Sequence, residues 1–276
     1  MIAAALAHYP AAVAGLAWVP LGAAGGFSGA SLFRGDSAAG PQFALKAWPP
    51  GVTAAALAVI HAHMHTARAG GCDFVPAVVP TRSGATAVAA GGRAFDLTAW
   101  VPGTAAADPT DAQLDAIGHA VAALHRAWRG VPAAGPIPAV TRRLAALEGV
   151  DVPAVLAKLR PWAEVVGPVQ PTVGDLRLEH VLFTGDRVTG IVDYGAVKPD
   201  HAAADLARLA ADLPPGRLPR LVAAYNARAA DAVPAGLVAA LAHAGLVGAV
   251  RFWARSPDPR GRERLAFLTE RLRGWS

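Results

Sequence analysis

Chemistry in this chain concentrates in residues 173–195, VGDLRLEHVLFTGDRVTGIVDYG. Asp175 follows Gly174 in what reads as a tight loop, and Asp193 closes an apolar run ahead of Tyr194 and Gly195. Between the two aspartates lie two short β-type runs, 180–184 and 187–192, separated by Gly185 and Asp186, a hairpin signal. A hairpin brings its ends together, so Asp175, His180 and Asp193 are expected at one edge of a small sheet. Two carboxylates and a third ligand group converging there suit a Mg²⁺-assisted phosphoryl transfer. One carboxylate takes the proton of an attacking hydroxyl, and the other holds metal that bridges the phosphates. The competing reading is an ordinary hairpin with turn aspartates.

The same stretch resembles the catalytic and metal-binding loops of the aminoglycoside phosphotransferase and choline kinase family, which has a protein-kinase-like fold. The family pattern is H-G-D-x-x-x-x-N, a hairpin, then an aspartate followed by an aromatic and a glycine. The resemblance implies that Asp175 is the catalytic aspartate and Asp193 the metal aspartate. Val173 stands where the family has histidine, and His180 where it has asparagine. Asparagine offers Mg²⁺ a hard oxygen, whereas histidine offers a nitrogen better suited to Mn²⁺ or Zn²⁺. Either His180 is a substitute ligand, or Asp193 holds the metal largely alone, or activity has been lost. Arg177, where protein kinases place a lysine, is expected to stabilise charge on the transferring phosphoryl group. The alternative for Arg177 is a surface arginine.

These groups need a nucleotide-binding half, and the first hundred residues read as one. A strand candidate at 16–21 leads into a loop with Gly25, Gly26, Phe27, Ser28 and Gly29. Further strands are expected at 32–34 and 43–48, the last carrying Lys46. Glycines let backbone approach phosphates and aim N–H groups at them. By the resemblance, Lys46 reaches the α- and β-phosphates. Residues 53–69 read as a helix capped by Thr53. The family's helix supplies a glutamate to that lysine, but this one contains no acid, so Lys46 is expected to lack its partner. His61 and His65 share a face of this helix at i, i+4 spacing and are expected to be solvated. Strands are expected at 74–80, 86–90 and 93–101. The last ends at Pro102-Gly103, where the family has the hinge that bonds the adenine edge; Ala99, Trp100 and Val101 are the candidates.

Beyond the hinge the composition is helical. Helices are expected at 111–129, 141–147, 152–166, 218–230, 234–252 and 262–272, with a loop over 130–138. His125 reads as a packed, hydrogen-bonded core residue. Asp205, in a D-x-x-x-x-D-L-A-like segment that runs on to Arg208, is expected to brace the catalytic loop through backbone N–H groups. The basic run from Arg260 to Arg264 reads as a solvated helix end.

Composition sets the outer bounds. Of 276 residues 54% are hydrophobic and 16% charged, which excludes a disordered chain. The net charge of +5 fits anionic ligands, but no Lys/Arg cluster points to specific nucleic-acid binding. The one cysteine, Cys72, allows no internal disulfide and fits a cytoplasmic protein. The apolar residues 1–26 lack a positive leader and are broken by His8, Pro10 and Pro20, and no later run reads as a membrane span.

The resemblance therefore implies an α+β, bilobal protein-kinase-like fold with an antiparallel β-sheet N-lobe over residues 1–103 and a mainly helical C-lobe over 104–276. Its implied activity is transfer of the γ-phosphoryl group of ATP, or of GTP in its place, to a hydroxyl of a small-molecule acceptor. Mg²⁺, or Mn²⁺ in its place, is the implied metal. The alternative is a pseudokinase-like nucleotide- or ligand-binding protein without transfer.

Overall fold

The computed structural model describes residues 2–22, 29–130, 133–256 and 261–275. The N-terminal part contains α1 (Ile2–Leu6), α2 (Ala11–Ala14), β1 (Ala17–Gly22), β2 (Ser31–Ser37), β3 (Gly40–Ala47), α3 (Ala54–Ala69), β4 (Ala87–Ala90) and β5 (Arg93–Ala99). Its five strands form one antiparallel sheet in the order β1-β2-β3-β5-β4. The β4–β5 turn needs two positive φ angles, supplied by Gly91 (55°) and Gly92 (76°), the pattern of a tight two-residue hairpin. Thr53 caps α3, its hydroxyl accepting the Ala56 N–H at 3.1 Å.

Strand alternation decides what each face of this sheet does. Leu45, Ala47, Phe95 and Leu97 point to one side, where Leu6, Tyr9 and Val13 of the short N-terminal helices cover them. Lys46, Trp48, Ala94 and Asp96 point to the other, toward α3 and the cleft. Lys46 pairs directly with Asp96 across β3 and β5. Residues 74–80 differ from expectation: they make a single bridge, Val78 to Thr98, and no strand. Pro76 and Pro80 remove the donors that a longer ladder would need.

The rest of the chain contains β6 (Thr104–Ala105), α4 (Asp111–Ala127), β7 (Ala133–Pro136), α5 (Pro138–Ala146), α6 (Pro153–Leu159), β8 (Val166–Thr172), β9 (Val181–Thr184), β10 (Arg187–Ile191), β11 (Lys198–Asp200), α7 (Ala203–Ala210), α8 (Leu218–Asn226), α9 (Ala235–Ala254) and α10 (Gly261–Arg273). Two three-stranded antiparallel sheets, β10-β9-β6 and β11-β8-β7, sit among these helices. Thr110 and Gln113 form a capping box at the start of α4. Gly118 lets α8 approach α4, since a Cβ there would lie 2.6 Å from that of Ala224. With its antiparallel sheet and largely helical second half, the molecule is a bilobal, kinase-like α+β fold.

Three expectations are corrected in this half. The 130–138 segment contains β7, the expected 152–166 helix ends at Leu159 with a 3-10 turn through Pro161, and 166–172 is the central strand of a sheet. Pro168, Pro171 and Gly167 disguise that strand, and only its tertiary partners reveal it. The fourth difference is α9, whose length and apolar composition alone would let it cross a membrane. Here it packs against α5, α6, α7, α8 and α10.

Candidate active site

Asp175 stands three residues beyond β8, on a loop whose turn needs glycine. Gly174 has φ +79°, and a Cβ there would lie 2.2 Å from the Ala196 carbonyl oxygen. Asp205, fully buried at the start of α7, braces the loop as expected. Its Oδ1 accepts the Gly174 N–H and its Oδ2 the Val173 N–H, both at 2.8 Å. His125 sits where a core histidine was expected, with Nε2 3.0 Å from Asp205 Oδ2 and Nδ1 3.0 Å from the Tyr225 hydroxyl. Asp175 itself is half-exposed. Arg208, one turn beyond Asp205, donates to Asp175 Oδ1 from Nε at 2.7 Å, with its Nη2 also 2.7 Å away. The other carboxylate oxygen has no partner among the described residues.

His180 and Asp193 meet Asp175 across the β9–β10 hairpin. His180 Nδ1 lies 2.8 Å from the Asp175 carbonyl oxygen. A carbonyl only accepts, so Nδ1 carries the hydrogen, and a metal would have to be met by Nε2. Nε2 lies 3.9 Å from Asp193 Oδ2 and 4.0 Å from Glu179 Oε1. Asp193 has φ 62°, the one positive φ outside glycine among the described residues. Its Oδ1 accepts from Lys46 Nζ at 2.8 Å. Burial works against the Asp193 charge, but Lys46, with help from His180 and the Gly195 N–H, outweighs it and holds the carboxyl below its usual range. No cluster of three or more metal-type side chains occurs among the described residues. Asp193 and His180 nevertheless make a two-ligand set with a free carboxylate oxygen and a free imidazole nitrogen. Such a set fits a divalent ion whose remaining ligands come from phosphates and water.

A cavity of about 620 Å³ between the lobes collects these groups. Asp175, Arg177, His180, Asp193, Lys46 and Arg208 all line it, as do Ala99, Trp100 and Val101. Near those last three, Leu32 and Ala44 of the N-terminal sheet, with Leu182 and Val192 of the hairpin, add apolar walls suited to a flat ring. The Ala99 N–H donates to Ala77 and the Trp100 N–H to Gln42, each at 2.8 Å. The Val101 N–H has no partner among the described residues. Gly29 takes the positive φ (75°) that glycine allows and passes its carbonyl to Arg93. Gly25, Gly26, Phe27 and Ser28 lie outside the described residues.

As expected, Lys46 receives no carboxylate from α3; it pairs instead with Asp193 and sits 4.0 Å from the centroid of the Trp48 ring. Three readings change. His61 is not solvated but 1% exposed, with Nε2 2.9 Å from Asp96 Oδ2. Arg177 lines the cavity, yet it is only 10% exposed and its guanidinium is engaged by Glu179 and, at 3.5 Å, by Asp212. Arg264, read as part of a solvated end, lines the same cavity. The arginine that touches Asp175 is Arg208, which sequence reasoning gave no role. Its signal was its place three residues after Asp205, on the face of α7 that carries the brace.

The model of the phosphotransferase enzyme family (APH) matches residues 21–240. No curated protein sequence matches the chain. Solved structures share the fold. An aminoglycoside phosphotransferase from Alicyclobacillus acidocaldarius superposes with a TM-score of 0.65 at 15% identity, covering 99% of this chain and 92% of the other. A macrolide 2'-phosphotransferase from Brachybacterium faecium gives 0.59 at 17% identity, covering 94% and 96%. A spectinomycin phosphotransferase gives 0.67 at 9% identity, covering 97% and 91%. At these identities the likeness is one of fold.

Proposed function

The chain belongs to the phosphotransferase enzyme family, and from that premise we propose that it moves the γ-phosphoryl group of ATP to a hydroxyl of a small-molecule acceptor. The observation that carries the reading is that Asp175, His180, Asp193 and Lys46 share one cavity. Asp175 orients the acceptor hydroxyl and takes its proton at Oδ2, the oxygen that Arg208 leaves free. Lys46 turns from Asp193 toward the α- and β-phosphates. Ala99, Trp100 and Val101 border the base, with the Val101 N–H offered to its edge. A divalent cation, Mg²⁺ or Mn²⁺, would be held by Asp193 and His180 and would supply charge neutralisation at the phosphates. Positioning and charge compensation then do most of the catalytic work. Arg177 adds positive potential from behind its own carboxylate partners.

Related structures support a nucleotide and a small acceptor. The spectinomycin phosphotransferase holds ADP and spectinomycin, an amicoumacin kinase holds AMP-PNP and Ca²⁺, and an aminoglycoside 2'-phosphotransferase holds GDP. GTP is thus the second candidate donor. At the acceptor end Arg177, Arg208 and Arg264 are offset by Asp175, Glu179 and Asp212, a near-neutral balance that suits a neutral acceptor better than a polycation. We place the division between the lobes at Gly103, a position with φ +125° where an added Cβ would lie 2.5 Å from Thr189 Oγ1. The single, buried Cys72 fits a cytoplasmic location.

A second reading, nucleotide binding without transfer, is favoured by one observation, the grip of Arg208 on Asp175. ADP release from ATP, followed with and without a panel of hydroxyl compounds, separates the two. For the transferase, Asp175→Asn lowers turnover at least about 10²-fold while nucleotide binding persists. Background turnover unchanged in Asp175→Asn would remove Asp175 from the chemistry. Nucleotide binding with no turnover in wild type would favour the second reading.

A further inference from the structure

Helix α3 carries no Asp or Glu, so Lys46 receives no carboxylate from that side. A different chain of contacts runs from α3 to this lysine. Lys46 Nζ sits 4.0 Å from the Trp48 ring centroid, close enough for an ammonium to be attracted to the ring's negative face. Trp48 lies two residues on, so both side chains project from the same face of the sheet. The indole is buried at 8% exposure and donates its N–H to Asp96 Oδ1 at 2.9 Å. Asp96, directly across from Lys46, uses its other oxygen to bind His61 Nε2 at 2.9 Å, and His61 belongs to α3. The far edge of the indole rests on Gly195: a Cβ there would lie 2.9 Å from Trp48 Cη2 and Cζ3. The ring is thus fixed from α3 on one side and touches the loop carrying Asp193 on the other.

We propose that Trp48 is the positioning residue for Lys46, performing with an aromatic face what a helix carboxylate would otherwise do. The inference rests on the reading of Lys46 as the cation that meets the nucleotide phosphates. A carboxylate would compete with phosphate for the three ammonium hydrogens. An aromatic face attracts the charge and leaves those hydrogens for Asp193 and the phosphates. The tie through Asp96 and His61 makes the ring's place depend on α3, so α3 controls phosphate binding without supplying an acid. Trp48 therefore determines affinity for polyphosphate and not for the base, which sits at Ala99 to Val101.

The test is calorimetric binding of ATP with Mg²⁺, and separately of adenosine, to full-length wild type, Lys46→Ala, Trp48→Leu and Trp48→Phe. Trp48→Leu is expected to weaken ATP about tenfold, a change of about 1.4 kcal/mol, and to leave adenosine unchanged. Trp48→Phe keeps a ring but loses the N–H that ties it to Asp96, so its ATP affinity is expected between those of wild type and Trp48→Leu. Equal losses for ATP and adenosine in Trp48→Leu would show a merely structural residue and overturn the proposal. Wild-type ATP affinity in Trp48→Leu, with Lys46→Ala impaired, would also overturn it while leaving the phosphate role of Lys46 intact. Wild-type ATP affinity in Lys46→Ala would remove that role and the proposal together.

Discussion

Asp205→Asn is the sharpest probe of how the site is held. The carboxylate is fully buried and accepts three hydrogen bonds, from Val173 and Gly174 N–H at 2.8 Å and from His125 Nε2 at 3.0 Å. An amide has one acceptor oxygen. Set at the Oδ2 position it keeps Val173 and His125, but its NH₂ then faces the Gly174 N–H, donor against donor. Stranding one buried N–H costs about 1–3 kcal/mol, and the two remaining bonds lose their charge assistance at roughly 1 kcal/mol each. The sum is about 3–5 kcal/mol. At roughly 2 °C per kcal/mol for a chain of this size, the unfolding midpoint should fall by about 6–10 °C. Circular dichroism melts of Asp205→Asn beside Asp186→Asn, a turn aspartate expected to shift the midpoint by less than about 1 °C, give the comparison. Turnover should drop too, since Gly174 places Asp175. Equal melting of the two variants would refute the claim that one buried carboxylate holds the catalytic loop.

How far the sequence alone reaches can be seen residue by residue. The hairpin at 181–191 was legible because Gly185 breaks two β-branched runs at a position where the chain needs φ +60°. Asp205 and His125 were legible through the resemblance, since each lies in a segment that matches a family signature, although they stand on different helices, α7 and α4. The partner of Lys46 was not. Asp193 lies 147 residues further along the chain, and only the fold brings its carboxylate to 2.8 Å from the ammonium. His61 was misread for a similar reason: helical spacing shows which residues share a face, not which face a sheet covers. β8 escaped because its prolines and glycine oppose strand formation locally, and pairing with β7 and β11 outweighs them.

Three further outcomes are expected. Arg208→Ala should lower turnover about tenfold or more by letting Asp175 rotate, with nucleotide affinity unchanged and the midpoint within about 2 °C, because the pair is partly exposed and worth about 1 kcal/mol; a rise in turnover would mean that Arg208 restrains the base. His180→Asn supplies a hard oxygen and should strengthen Mg²⁺ relative to Mn²⁺ roughly tenfold in metal titrations of nucleotide binding, whereas an unchanged ratio would remove His180 from the metal. Burial holds His63, His201 and His243 below their ordinary values, so the unfolded chain takes up protons near pH 6.5 that the folded one refuses. Their contribution to stability is present above that pH and is lost below it. Urea midpoints should therefore fall from pH 7.5 to pH 5, and equal midpoints would contradict the burial assigned to these rings.

The most direct measurement is the thermal midpoint of wild type and Asp193→Ala with ATP, each with Mg²⁺, with Mn²⁺ and without metal. A ligand that binds the folded state raises the midpoint by mass action. For a phosphotransferase site built on Asp193 and Lys46, ATP with metal should raise the wild-type midpoint well above ATP alone, and Asp193→Ala should erase that difference. No shift with ATP or GTP under any condition, or a shift in Asp193→Ala that still depends fully on metal, would contradict it.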